Sequence, residues 1–449
     1  MFKKNLTAII ILFAASLSFG KIDLQIPNQD MTLGLSCAAW QESGQFVDYF
    51  NGASELNHQW INRTFLDVLF NATYKERLQM AMGVEGKMWF NVPKLRGTGQ
   101  ATYVHEQNST FIVSDANMSY SFGDMKAPYL SAQFGLFPYK YDQEARNLGE
   151  YLFRTGTYPA YIINNFDLAF ARLTGLKVSS DLFGCLHQDL ILSAETTIPP
   201  FNDISLSYLA DYNYQKIVDV GVGVQFYDLI SVDNRVTTPH IAKNQYVTSN
   251  GDTGYYTFSG TKLMAKVCFD PKQGFPIGIF GKEDCKIYAE AAILGLESYP
   301  RNDSVTALSQ GTGSGKNYWG YDSLKNKIPI MFGFNIPTFK LLDVFALEAE
   351  WYGCPYPNSY ENRLGPGPNT SYPVPDSPIH LAFANYASDN WKWSVYMKKT
   401  FFEEHLGLVV QLSRDHTRNE TLIDESYDYE EAFSLNKQWM WMAKIVGKF

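Results

Sequence analysis

Apolar and polar residues alternate with a period of two along much of this chain, and the alternation restarts after each short break. Residues 77–92 show it most plainly. Leu78, Met80, Met82, Val84, Met88, Phe90 and Val92 share one parity with Gly86, while Arg77, Gln79, Glu85, Lys87 and Asn91 share the other. Successive side chains of a strand point to opposite faces, so this pattern predicts strands with one apolar and one polar face. It recurs at Ile204–Tyr212, Val218–Phe226, Leu263–Phe269, Ile287–Ile293, Phe345–Trp351 and Leu406–Leu412. A soluble sandwich also alternates, on fewer strands. Alternation over so many segments favours one closed sheet that faces hydrocarbon on its outside and water within.

Connection lengths give a second reading. With the C-terminus on the inner side, the last strand descends from a long acidic loop at 416–436, preceded by a tight turn near Glu403–Glu404. Before that lies a proline-rich loop at 353–388, and short and long connections keep alternating toward the N-terminus. The exceptions are a short outer loop at 196–202 and a long inner connection at 270–284. Strands are predicted to begin near 31, 60, 76, 110, 127, 162, 186, 203, 217, 256, 285, 328, 343, 389, 405 and 437. That makes about sixteen, within a range of about 14–18, an even number with both chain ends on the same side. The fold class is therefore all-β, a transmembrane antiparallel β-barrel.

The two ends of the chain agree with this. Lys3 and Lys4 precede an apolar run from Leu6 to Leu17, and Ser18-Phe19-Gly20 offers small residues at the positions a signal peptidase reads. The run is too short for a membrane-spanning helix. Residues 1–20 read as a signal peptide and 21–449 as one barrel domain. At the other end, Trp439, Trp441, Ala443, Ile445, Gly447 and Phe449 share a parity. A last strand that ends on an aromatic residue in this way resembles the C-terminal assembly signal of bacterial outer-membrane β-barrels. The resemblance implies outer-membrane localisation, lipid around the wall, and recognition of Trp439, Trp441, Ile445 and Phe449 by the barrel-assembly machinery.

Composition sharpens the picture. Of 449 residues, 9 are Trp, 29 Tyr and 31 Phe, yet only 18% are charged and 45% hydrophobic. Aromatic rings with polar tips are the residues enriched at membrane–water interfaces. The net charge of −9 opposes a phosphate backbone, so no nucleic-acid partner is expected. The seven histidines are scattered, and neither a Gly-x-Ser-x-Gly elbow nor a His-Glu-x-x-His motif is present. No enzyme activity, metal or cofactor is expected. Gly311-Thr-Gly-Ser-Gly-Lys316 lacks the first glycine and the final Ser/Thr of a phosphate loop. Of the five cysteines, Cys268 and Cys285 flank the inner connection, but their opposite parities work against a bridge.

The third outer loop of this topology carries the candidate chemistry. In sixteen-stranded porins the third loop folds inward and narrows the pore, and the whole-chain pattern here resembles a porin in architecture. Within the loop, Glu144–Arg154 is predicted as a short helix. Ala145, Leu148, Tyr151 and Leu152 would pack on the wall, and Arg146, Glu150 and Arg154 would line the opposite face as a charge ladder. Together with Asp142 and Glu144 these form the candidate constriction. Strand parity assigns Arg77, Glu85, Lys87, Asp115, Asp189, Asp211, Asp219, Lys262, Lys266, Glu290, Glu348 and Glu350 to the pore lining. Both signs are present, as a hydrated channel for small hydrophilic solutes or ions would have. Two other readings stand beside it: a barrel whose long loops bind an external ligand or surface, and a secreted soluble carbohydrate-binding sandwich. A homo-oligomer is left open.

Overall fold

The computed structural model describes residues 22–26, 30–47, 60–90, 93–96, 100–103, 108–124, 128–153, 171–194, 196, 202–230, 245–247, 253–255, 260–274, 278–296, 328–351, 391–415 and 438–448. The export signal read at 1–20, Arg154 and Phe449 lie outside these residues.

Among the described residues, twenty-one strands run in chain order. They are β1 (Ile22–Ile26), β2 (Met31–Val47), β3 (Trp60–Tyr74), β4 (Leu78–Phe90), β5 (Pro93–Arg96), β6 (Gln100–Tyr103) and β7 (Asn108–Gly123). Next come β8 (Pro128–Tyr139), β9 (Ala171–Leu182), β10 (Leu186–Ala194), β11 (Ile204–Tyr214), β12 (Val218–Ile230), β13 (Gln245–Val247) and β14 (Thr253–Tyr255). The last are β15 (Gly260–Phe269), β16 (Ile287–Ile293), β17 (Ile330–Asn335), β18 (Val344–Trp351), β19 (Trp391–Phe401), β20 (Leu406–Arg414) and β21 (Trp439–Lys448).

Sixteen of them, β2–β4, β7–β12 and β15–β21, pair antiparallel with their chain neighbours. The ring closes where β21 meets β2, from Ala38↔Lys448 to Val47↔Trp439. Closure leaves no edge, so every wall strand has a partner on both sides, the condition for crossing hydrocarbon. The N-terminal strand β1 pairs with β2 from Ile22↔Leu35 to Ile26↔Met31, on the edge that β21 leaves below residue 38. The hairpins β5–β6 and β13–β14 stand outside the ring.

One rim is built from short connections. Turns at 75–77, 183–185, 215–217 and 402–405 place Lys75, Glu76, Phe183, Gln215, Lys216, Phe402, Glu403 and Glu404 in the left-handed region, the backbone twist that tight hairpins need. Arg77, assigned to the lining from parity, belongs to the first of these turns and donates to the Ser121 carbonyl at 3.3 Å. It marks the rim, not the lumen, because the strand begins one residue later than its pattern suggested. The described residues of the longer inner connection are fastened to a neighbouring turn. Asp284 accepts from Gly281 N, Thr338 N and Oγ1 and Phe339 N, which ties it to the β17–β18 turn. Burial opposes ionisation there, but these donors outweigh it and hold the Asp284 carboxyl below the usual range.

Side-chain parity follows the expected division. Met80, Met82, Met88, Leu190, Leu192, Val220, Val222, Phe332 and Ile445 face outward and are exposed on the isolated chain, as a lipid-facing wall requires. Glu85, Lys87, Asp189, Lys262, Glu290, Glu348, Glu350 and Lys392 face inward and are buried. The register shift between Gly83 and Val84 inserts Ser114 as an extra residue beside Asp115. Cys37, Cys185, Cys268 and Cys285 are all free, so no bridge spans the inner connection.

Candidate functional site

The chain leaves β8 at Tyr139 and turns into the barrel. Residues 140–153 lie against the inner wall of β10, β11 and β15–β18, where Tyr141, Ala145, Leu148, Tyr151 and Leu152 pack on Ile191, Leu209, Met264, Tyr288, Ala292 and Met331. The apolar positions picked out from the sequence are the ones that touch the wall. The helix is not there. Residues 140–153 form bends and one turn, with Gly149 at φ 88° and Glu150 at φ 63°. Two adjacent residues in the left-handed region end any right-handed helix. Gly149 is also tightly placed, since a Cβ there would come within 2.9 Å of both Glu290 Oε2 and Met331 Cε.

The wall supplies what a helix would have supplied. Glu348 accepts from the backbone N–H groups of Arg146, Asn147 and Leu148 at 2.5, 2.9 and 3.0 Å, and from the Tyr288 hydroxyl at 2.9 Å. Glu290 accepts from Glu150 N at 2.7 Å, Tyr151 N at 2.9 Å and the Tyr141 hydroxyl at 2.5 Å. Lys266 and Lys262 donate to the carbonyls of Tyr141 and Leu152 at 2.7 and 3.0 Å. Tyr151 donates to Glu350 at 2.7 Å, and the Asn147 amide donates to Asp415. A buried carboxylate without donors is costly, so Glu290 and Glu348 hold the segment as much as the segment satisfies them. Burial beside Glu290 and Glu150 pushes the Tyr141 hydroxyl far above its ordinary value, which keeps it a donor.

This geometry redistributes the expected charges. Arg146 Nη2 lies 3.0 Å from Glu283 and 3.6 Å from Glu144, and Lys286 lies 2.7 Å from Glu144 and 2.8 Å from Glu283. Burial opposes ionisation of Glu283, but its hydrogen bond with Lys286 and the charges of Lys286 and Arg146 outweigh that and lower its value. At Glu144 burial wins, and its value is raised. Glu150 turns back to accept from Asp142 N at 2.5 Å, and Asp142 in turn accepts from Glu144 N at 3.1 Å and Ala145 N at 3.4 Å. Arg146 and Glu150 therefore do not form a ladder on one face. Each is spent locally, and Arg154 lies outside the described residues. Of the lining positions, Lys266 bridges Asp211 at 2.9 Å and Asp219 at 3.7 Å, and Asp189 accepts from Tyr139 at 2.7 Å.

Across the ring, β2–β4 and β21 carry a second charged group. Arg63 Nη2 lies 2.5 Å from Glu42, whose other oxygen is 3.8 Å from Lys444. Glu85 takes Lys87 at 3.2 Å and Arg172 at 2.9 Å. Trp40 and Phe65 stack at 5.0 Å between them, with Lys444 at 4.8 Å over Trp40 and Arg63 at 5.3 Å over Phe65. Arg172 reaches this row from β9, and Asp67 and Asp115 stand close enough to it and to Glu85 to interact with both, so among the described residues four cations meet four carboxylates. Sequence parity found Glu85 and Lys87 but missed Glu42, Arg63, Arg172 and Lys444. The alternation Arg63-x-Phe65 was legible, but around Glu42 β2 carries polar residues on both parities (Gln41, Glu42, Ser43, Gln45) and the apolar alternation of its first half is lost.

Neither a protein-family model nor a curated protein sequence matches the chain. Among solved structures it is similar to Salmonella typhi OmpF in complex with daunomycin, at 13% identity over 95% of this chain and 100% of that one, with a TM-score of 0.46. It is also similar to Pseudomonas putida OprB in a low-pH structure, at 8% identity over 93% and 92% with a TM-score of 0.43. A mutant of Rh. blastica porin follows at 6% identity over 93% and 100%, with a TM-score of 0.41. The architecture itself rests on the strand pairing of this chain: a closed antiparallel ring of sixteen strands, as the porin-like resemblance implied.

Proposed function

We propose that this chain is a channel of the bacterial outer membrane through which small hydrophilic solutes or ions diffuse. The observation that carries the reading is the segment 140–153, turned into the ring and fastened to Glu290 and Glu348 by five backbone N–H groups. A loop that only met an external partner would have no use for buried carboxylates deep in the lumen. The inward segment narrows the passage, and the solute path runs between it and the mixed-charge row of Arg63, Lys87, Arg172 and Lys444 with Glu42 and Glu85. Fixed charges in such a confined, low-dielectric space select ions by sign. Arg146 and Glu150 are held in local contacts and the row's cations in ion pairs of their own, so selectivity rests on the two charged groups together. The test is single-channel recording in planar lipid bilayers. Discrete conductance steps support the proposal, and a purified, folded barrel that inserts without conducting refutes it.

A further inference from the structure

Tight turns at 75–77, 183–185, 215–217 and 402–405 join neighbouring strands of the inner rim, as short turns do on the inner side of outer-membrane barrels. Between β15 and β16 the chain instead runs from Asp270 to Lys286. The described ends of this connection are fastened to the wall. Asp270 N donates to the Ile217 carbonyl at 2.8 Å, Cys285 N to the Asn335 carbonyl at 2.9 Å, and Asn335 N to the Lys286 carbonyl at 2.9 Å. Asp284 adds its hydrogen bonds from Thr338 and Phe339 on the adjoining turn. Anchored in this way, residues 281–286 are a fixed support.

That support meets the inward segment. Lys286 Nζ lies 2.7 Å from Glu144 and 2.8 Å from Glu283, and Arg146 Nη2 lies 3.0 Å from Glu283 and 3.6 Å from Glu144. The four charges alternate in sign around a square, with one carboxylate and one cation from each element. The contacts that cross between the elements, at 2.7 and 3.0 Å, are closer than the 3.6 Å pair inside the segment. The four side chains are only 10–18% exposed, so a charge removed from the square leaves its partner poorly compensated. Glu290 and Glu348 hold the segment's backbone from the wall, and the square holds its side chains from the inner end. Burial at the inner mouth follows the same division. Asn335, Val344 and Ala346, at the inner ends of β17 and β18, are buried. Thr73, Ser119, Ser121 and Ser131, at the inner ends of β3, β7 and β8, stay partly exposed. The filled side is the one where segment and connection meet.

We propose that the inner connection is the second half of the constriction, with Glu283 and Lys286 as positioning residues that fix where segment 140–153 stands in the lumen. The width of the passage is then set from the inner face as well as by the loop. The inference rests on the channel reading for its effect on current, while hydrogen exchange reads the positioning itself. Glu283→Lys with Lys286→Glu reverses the connection, and Glu144→Lys with Arg146→Glu reverses the segment. Each pair keeps the net charge and the opposite signs within its own element, but sets like charges face to face between the elements. The fourfold variant restores the alternation. In the refolded, heat-modifiable barrel, the backbone amides of 146–151 should exchange about tenfold faster in either pair variant. In the fourfold variant they should return to the wild-type rate. Single-channel steps should follow the same order, enlarged and noisy in the pair variants and restored in the fourfold one. Should a pair variant fail to refold, Glu283→Gln decides by the same exchange, with faster exchange expected. Wild-type exchange in the variants that fold, or a folded fourfold variant that does not regain protection, overturns the proposal. A wild type that inserts without conducting refutes the channel reading alone, and the exchange rates still decide this one.

Discussion

Gly149 and Glu348 show how single residues shape the inner segment. At Gly149 two requirements meet, a left-handed backbone and a close approach to Glu290 and Met331. Gly149→Ala is expected to cost about 1–3 kcal/mol, measured as a lowered midpoint of urea or thermal unfolding of the refolded barrel. Glu348 accepts four hydrogen bonds, three of them from consecutive backbone groups. Glu348→Gln replaces one oxygen by a donor that faces other donors. The ring should persist, but the segment should loosen, seen as larger and noisier conductance steps. Steps indistinguishable from the wild type would mean that this carboxylate does not hold the segment.

The same residues explain what was legible. The stripe Ala145, Leu148, Tyr151 and Leu152 was correctly read as wall-facing, because burial of apolar side chains follows from their type. The helix was not, because the backbone groups of 146–148 and 150–151 bond to carboxylates about 140 and 200 positions away, and no local pattern carries that. Gly149 was the one local warning.

Strands, turns and connections form the next scale. The expected strand starts lie within a few residues of the observed ones, apart from β9, whose described residues start at Ala171 while the expected start near 162 lies outside the described residues. Period-two alternation is imposed by lipid on one face and water on the other, so it survives in the sequence. Where a polar patch interrupts the lipid face, as on β2, the signal fades. The inner connection is stabilised differently. The donors around Asp284 lower its folded-state value, so the carboxylate contributes stability above its unfolded value near 3.8 and loses it as pH falls through the lower folded value. Limited proteolysis at 270–284 should therefore stay slow from neutral pH down to about 4 and accelerate only below that. Asp284→Asn should accelerate cleavage at neutral pH already; equal protection of the variant would remove Asp284 from the account.

At the scale of the whole molecule, the lumen has two unlike sides. One holds the inner segment on Glu290 and Glu348, and the other carries Arg63, Lys87, Arg172 and Lys444 around the Trp40–Phe65 stack. Neutral replacements of Arg63, Lys87 and Lys444 should move the reversal potential in a salt gradient toward cation preference. Arg146→Gln should move it in the same direction but by less, because it removes one ion-paired positive charge where the triple replacement removes three. The reverse ranking would return selectivity to the loop charges. The central claim is simpler than its selectivity: a ring of sixteen strands with a segment folded into its lumen conducts. The most direct test adds the purified, heat-modifiable protein to a planar bilayer and records current at fixed voltage. The account predicts discrete, ohmic steps that scale with salt concentration, and insertion of folded protein without any step would contradict it.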